Sequence, residues 1–375
     1  MTKVLPGLDF LIQSQDAAAE RLRTQKIGLL TNQIGLTQED RPALEALRAA
    51  TFNILALFTP EHGIQGNLEG AIDDSKLPDG TPVYSLYGAI RRPTPEMLAP
   101  LDTVVCDLQD VGARFYTNAT TIYEIIEACA PLGKRVVILD RPNPLGGLSI
   151  EGPFIDDQLM SFIGAAPLPT THGMTLGELA LFYRAWKKLD VEIEIVKAQG
   201  WTRAMKWPET GLKWRRPSPN LPDFVSAAWY PGLAHLEFCK VSVGRGTEAP
   251  FQILGSPTFQ TDAFIAAFQS DEPFTMKRVE FTPTRATFEG EKCVGIRFDC
   301  AHLPENPVEF GLRVMHAFRA SHPDFPRDNW NRAGKLIGSQ ATLDALWDGK
   351  LGFALQKAHD DAAQFRAERA EFLIY

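Results

Sequence analysis

Residues 103–117, TVVCDLQDVGARFYT, set two carboxylates, an amide, a guanidinium and a phenol close together: Asp107, Asp110, Gln109, Arg114 and Tyr116. They follow Val104 and Val105, a β-branched apolar run of the kind that makes a buried parallel strand. Ligands of open α/β sheets sit outside the carboxyl ends of the strands. The stretch therefore reads as one wall of a substrate pocket, or else as an ion-pair and turn network holding a long loop. Two other strand ends repeat the pattern, with Glu61 and His62 after residues 53–58 and Asp140, Arg141 and Asn143 after residues 135–139. In a parallel sheet these ends share one edge, so groups distant in sequence would meet in one crevice. Taken singly, a strand-end Asp is often no more than a helix N-cap.

Each residue type suggests a role. Glu61, in PEHG (60–63), is the leading proton donor, because partial desolvation at a sheet edge favours the protonated form of a carboxyl. His62 and His172, each followed by Gly, could orient a carboxylate or bind a hydroxyl, or serve as structural donors. Arg114, Arg141 and Arg245 suit planar, bidentate recognition of a carboxylate. With Tyr116, Trp201 and Trp229 they point to a polyhydroxylated, acidic ligand, although the tryptophans fit core packing of their loops equally well. A metal site is not expected, since there is no HExxH or DxDxD spacing to gather His62, His172, Asp107 and Asp110 around an ion. No cofactor is expected either: a GxGxxG after the first strand, a GK[ST] and a GxSxG are all absent, which argues against dinucleotide, P-loop and serine-hydrolase chemistry.

Elements able to position these groups alternate along the chain. Apolar runs at 26–30, 53–58, 82–87, 103–106, 135–139 and 191–196 read as strands. Helical spacing covers 8–22, 43–50, 94–98, 120–130 and 174–186, the last with a Thr175–Glu178 capping box. The expected fold class is α/β, a Rossmann-like, doubly wound, mostly parallel sheet. Residues 200–256 read as a Trp- and Pro-rich loop segment, of a length that is usually functional. Residues 257–375 read as a smaller α+β domain with helices at 264–268, 308–320, 341–346 and 350–375 and a strand at 294–298. A length of 375 residues fits two domains, here 1–256 and 257–375. A net charge of −8 offers no footprint for nucleic acid. Five cysteines, odd in number and without CxxC, signal neither a zinc site nor a disulfide framework. No apolar run reaches signal-peptide or membrane-span length, so the chain as written reads as cytoplasmic, or as periplasmic or secreted if a leader was removed.

A series of motifs adds to this reading: LLTNQIG (29–35), FTPEHGIQG (58–66), PVYSLYG (82–88), DLQDVGARFYT (107–117), LDRPNPLGG (139–147), EGP (151–153), HGMTLGELA (172–180), PSPNLP (217–222), YPG (230–232) and GRGTEAPF (244–251). In this order they resemble the NamZ family of exo-β-N-acetylmuramidases. The resemblance implies a Rossmann-like domain with a smaller C-terminal lid and a cleft between them. It also implies release of N-acetylmuramic acid from the non-reducing end of peptidoglycan fragments, which become the expected partners. Glycoside hydrolysis needs a carboxylic acid and a second carboxylate. Glu61 is then the acid, with Asp110, Asp107 or Glu151 as the second group, unless the substrate's own N-acetyl group assists. Arg114 or Arg245 would hold the lactyl carboxylate, and His62, Tyr116, Arg141, Asn143, His172, Asn220 and Glu248 would complete the pocket. After PEHG, where the family carries AGE, this chain reads Asn67-Leu68-Glu69-Gly70, so that family glutamate's role would fall to Glu69 or Asp73. Two rivals remain: a non-catalytic sugar- or muropeptide-binding protein on the same cleft, and a metal-dependent hydrolase.

Overall fold

The computed structural model describes residues 3–61, 63–64, 73–270, 274–299 and 303–375. Seven strands form the larger sheet: β1 (Lys26–Thr31), β2 (Asn53–Thr59), β3 (Ser75–Lys76), β4 (Pro82–Ser85), β5 (Thr103–Asp107), β6 (Arg135–Leu139) and β7 (Ile193–Val196), in the order β3-β4-β2-β1-β5-β6-β7. All are parallel to their neighbours except the short β3. Every residue of β5 and β6 is buried, as strands covered on both faces require. The period of two decides which layer each side chain joins. Val104, Cys106, Val136 and Ile138 pack with the helices Asn118–Cys129 and Leu176–Lys187. Val105, Val137 and Leu139 pack on the opposite face with the helices Gly7–Gln13, Ala17–Arg23 and Ala43–Ala49. The sheet is thus doubly wound, with its switch of direction beside β1, where β2 and β5 flank it.

Local chemistry sets several boundaries. The Thr175–Glu178 capping box is present in full. The single helix expected over 8–22 is two, because Asp16 accepts the Ala19 N–H at 2.8 Å and starts a new helix there.

Three more strands make the smaller antiparallel sheet: β8 (Ile253–Ser256), β9 (Met276–Phe281) and β10 (Cys293–Phe298), with β10 in the middle. The segment 200–256, expected as loop, contains the helix Phe224–Leu233 and ends in β8. That helix packs against Pro307–Ser321 at two glycines. A Cβ on Gly232 would lie 2.0 Å from the Pro307 carbonyl oxygen, and one on Gly311 would lie 2.4 Å from the Gly232 oxygen. Trp229 is fully buried beside this crossing, against Phe298 and Phe310. The same apolar core takes in Val111, Ala113 and Phe115 from the loop after β5, which joins that loop to the C-terminal unit, the chain from Phe224 onward that carries the small sheet. The chain end returns to the large sheet: Phe365 packs on Phe182, and the Tyr375 hydroxyl donates to Asp140 Oδ2 at 2.8 Å.

The four cysteines among the described residues, Cys106, Cys129, Cys239 and Cys293, are buried free thiols. Among the described residues no helix is long and apolar enough to cross a membrane.

Gly232→Ala forces its Cβ into the Pro307 backbone, so the two helices must separate. Urea unfolding is expected to show a loss of about 1–3 kcal/mol. An unchanged midpoint would mean that the helices are not held at this spacing.

Candidate active site

β2 ends at Thr59, Pro60 follows, and the next residue, Glu61, lines a cavity of about 290 Å³. Glu61 Oε2 accepts the Thr117 hydroxyl at 2.8 Å, and the Tyr87 phenol also hydrogen-bonds this carboxylate. Thr117 follows β5 and Tyr87 follows β4, so one carboxylate draws three strand ends together. Burial and the bond to Glu61 push the Tyr87 phenol up to about 12. Beside it, Tyr116 donates to the Pro217 carbonyl at 2.8 Å, and burial, then the charges of Asp110 and Glu61, raise its pKa. Both phenols remain protonated at neutral pH, with their single O–H donors spent on Glu61 and on the Pro217 carbonyl.

The far wall comes from the C-terminal unit. Glu237, just beyond the helix Phe224–Leu233, and Arg245 both line the cavity and form an ion pair. Burial raises the pKa of Glu237, Arg245 opposes that, and the charge of Glu61 adds to it. Two carboxylates therefore feel each other across one cavity. Arg245 Nε is buried with no hydrogen-bond partner, which leaves an unspent donor beside the pair. Asn220 lines the same space and accepts from Arg285 at 3.2 Å, and Tyr230 and Phe251 supply apolar and phenolic surface.

The other residues singled out in the sequence lie elsewhere. Asp110 and His172 form a buried pair behind the wall: His172 Nδ1 accepts the Met174 N–H at 3.1 Å, which puts the ring proton on Nε2, 3.3 Å from Asp110 Oδ2. Asp107 is fully buried in a bidentate pair with Arg141, at 2.7 and 3.0 Å, and Arg141 also donates to the Leu36 carbonyl. The Arg114 fork is spent on the backbone carbonyls of Pro153, Leu168 and Leu336. Burial pushes that guanidinium down to about 9, against the opposing charge of Asp156. Asn143 ties Leu145 N–H to the Met174 carbonyl, and Gly112, at φ +83°, leaves room for its side-chain oxygen, since a Cβ there would sit 2.5 Å away. Glu248 is largely exposed and faces Arg297 at 3.4 Å. Trp201 is buried against Tyr375, and both it and Trp229 are core residues. His62 and Glu69 lie outside the described residues. Among those described, no group of three or more His, Cys, Asp or Glu is placed to hold a metal ion.

Sequence reasoning missed Tyr87, Tyr230 and Glu237 as cavity residues, whereas Thr117 belongs to the stretch expected to wall the pocket. Tyr87 and Tyr230 stand inside motifs already quoted: Tyr87 follows the end of β4, whereas Tyr230 lies within the helix Phe224–Leu233. Glu237 carries no local signal, because it reaches the cavity only through packing of the C-terminal unit.

A family model described as "Exo-beta-N-acetylmuramidase NamZ, N-terminal" matches residues 27–225, and one described as its C-terminal part matches residues 228–375. The chain is 34% identical over 390 residues to the peptidoglycan beta-N-acetylmuramidase NamZ of Bacillus subtilis, a match that takes in 100% of this chain and 92% of that one. Its fold is similar to crystal structures of two DUF1343 family proteins from Bacteroides fragilis. One has a TM-score of 0.88 at 28% identity over 100% of both chains. The other has a TM-score of 0.79 at 26% identity, over 100% of this chain and 99% of that one.

Glu151 gives this region a pH dependence. It accepts the Ser149 hydroxyl and, at 2.8 Å, the Val308 N–H, so it caps the helix Pro307–Ser321 rather than lining the cavity. Burial pushes its pKa from 4.5 up to about 7. Between those values the folded state binds more protons at this site than the unfolded state, so stability is full below the lower value and falls as pH rises. Glu151→Gln is expected to remove about 1.4 kcal/mol per pH unit of that fall, seen as a flatter urea-midpoint profile from pH 5 to 7. A variant profile parallel to the wild type would contradict the assignment.

Proposed function

The chain belongs to the exo-beta-N-acetylmuramidase NamZ family, and we infer that it is a glycoside hydrolase releasing N-acetylmuramic acid from the non-reducing end of peptidoglycan fragments. The observation that carries this reading is the pair Glu61 and Glu237 on one cavity, beside an arginine with a free donor. Glycosidases need two carboxyl groups in different protonation states around the scissile bond. The partners of these two differ in kind. Tyr87 and Thr117 have hydroxyls that both donate and accept, so Glu61 can carry a proton and keep both hydrogen bonds. Arg245 can only donate, so it suits an ionised Glu237.

Glu61 is accordingly the acid that protonates the leaving oxygen. Glu237 is the second carboxylate, and its burial makes it a stronger base than an exposed one. It takes the role for which Asp107, Asp110 and Glu151 were considered. The Arg245 guanidinium lines the cavity and would meet the lactyl carboxylate that distinguishes N-acetylmuramic acid from N-acetylglucosamine. Tyr116 and Tyr230 offer ring faces to the sugar, and Asn220 offers an amide. About 290 Å³ lies at the lower end of the range for small-molecule sites, which suits one terminal sugar and hence exo action.

Incubation with the disaccharide MurNAc-GlcNAc is expected to yield both free sugars in equal amounts, read by chromatography. Absence of free N-acetylmuramic acid would overturn the reading. Glu237→Gln should lower kcat by roughly 10²–10⁴-fold, whereas Glu151→Gln should retain kcat.

A further inference from the structure

The cavity opens past Ile163, Glu237 and Phe238 into a second, wider groove of about 800 Å³. Four cations from separate parts of the chain line it: Arg91, Lys240, Arg332 and Lys335. All four are exposed, and none pairs with a carboxylate among the described residues. The one acidic residue in the lining, Glu237, is already held by Arg245. In a chain of net charge −8, such a gathering is a local inversion of sign. The groove also has aromatic surface. The Arg91 guanidinium lies 4.2 Å from the centre of the Phe162 ring and 5.5 Å from that of Tyr87, which itself contacts Glu61. Phe238 is 42% exposed, among few large apolar side chains left open to solvent.

We propose that this groove binds the part of the glycan beyond the bond being cut, its cations meeting carboxylates carried by the following sugars. The proposal rests on the hydrolase reading above and extends it from the terminal sugar to the chain behind it. If one sugar fills the inner cavity, the remaining chain must leave through the shared opening at Phe238. Peptidoglycan repeats a lactyl carboxylate on every second sugar and, where stem peptides remain, adds peptide carboxylates. Both present the same charge to Arg91, Lys240, Arg332 and Lys335. Phe162 and Phe238 suit the apolar faces of the sugar rings between those carboxylates. Exposed ion pairs are individually weak and screened by salt, so the contribution is collective and largest at low ionic strength.

The test compares wild type with the double variant Lys240→Glu/Lys335→Glu, two exposed substitutions that leave Glu61, Glu237 and Arg245 unchanged. Activity is measured on a chromogenic N-acetylmuramic acid glycoside, too short to enter the groove, and on MurNAc-GlcNAc tetrasaccharides with and without stem peptides. The variant should keep kcat/KM on the chromogenic glycoside within about twofold. On the tetrasaccharides it should lose about tenfold in kcat/KM and most of the dependence on salt. A loss on the peptide-free chain assigns the lactyl carboxylates, and one confined to the peptide-bearing chain assigns the stem. Unchanged tetrasaccharide rates, or an equal loss on the chromogenic glycoside, would overturn the proposal. If the wild type hydrolyses none of these, the hydrolase reading itself fails. Calorimetry then decides the groove separately: the peptide-free or the peptide-bearing tetrasaccharide should bind more tightly than a chitin tetrasaccharide, and the double variant should abolish the difference. Equal binding of all three would overturn the groove assignment.

Discussion

The hydrogen bonds of Glu61 to Thr117 and Tyr87 are the constraint on which the site depends. They join the ends of β2, β5 and β4, and they fix one carboxylate at the mouth of a sheet whose strands are otherwise apolar. A half-buried carboxylate at a strand end needs partners, and hydroxyls supply them without imposing a protonation state. The loop after β5 must then run close to Glu61, and it does so because Val111, Ala113 and Phe115 are anchored in the C-terminal core. Behind that loop, Asp107 with Arg141 and Asp110 with His172 form buried pairs that hold the backbone in place.

The second wall depends on a different constraint, the close crossing of two helices at Gly232 and Gly311. The crossing buries Trp229 and sets where the following turn delivers Glu237. The two carboxylates on the cavity stand on separate parts of the chain, so packing between those parts sets their separation. That packing is firm here. Arg369 donates to the carbonyls of Gly147, His172 and Gly173, and Tyr375 reaches Asp140, so the C-terminal end clasps the loops beneath the site.

Much of the large sheet was legible in the sequence because strands buried on both faces read as continuous apolar runs, as at β5 and β6. The small sheet was less so. β9, MKRVEF, alternates exposed and partly covered residues, and β8, ILGS, is only four residues long with a glycine inside. The helix Phe224–Leu233 was hidden by Pro231 and by the tryptophans around it. Within the site, Glu61, Tyr116, Asn220 and Arg245 were legible as cavity residues, because strand ends and motifs mark them. The burden expected of Arg114 and Arg141 was misplaced for one reason. Sequence shows a guanidinium but not the buried carbonyls and carboxylate that compete for it. Glu237 was invisible because only tertiary packing brings it to Glu61.

The central claim is that Glu61 gives its proton to the leaving oxygen, and leaving-group dependence tests it most directly. Glu61→Gln would be assayed on MurNAc-GlcNAc, whose leaving sugar needs a proton, and on a dinitrophenyl N-acetylmuramic acid glycoside, whose leaving group does not. The expected result is a fall in kcat of about 10²–10⁴-fold on the disaccharide and little change in bond cleavage on the activated glycoside. Equal losses on both substrates would contradict it.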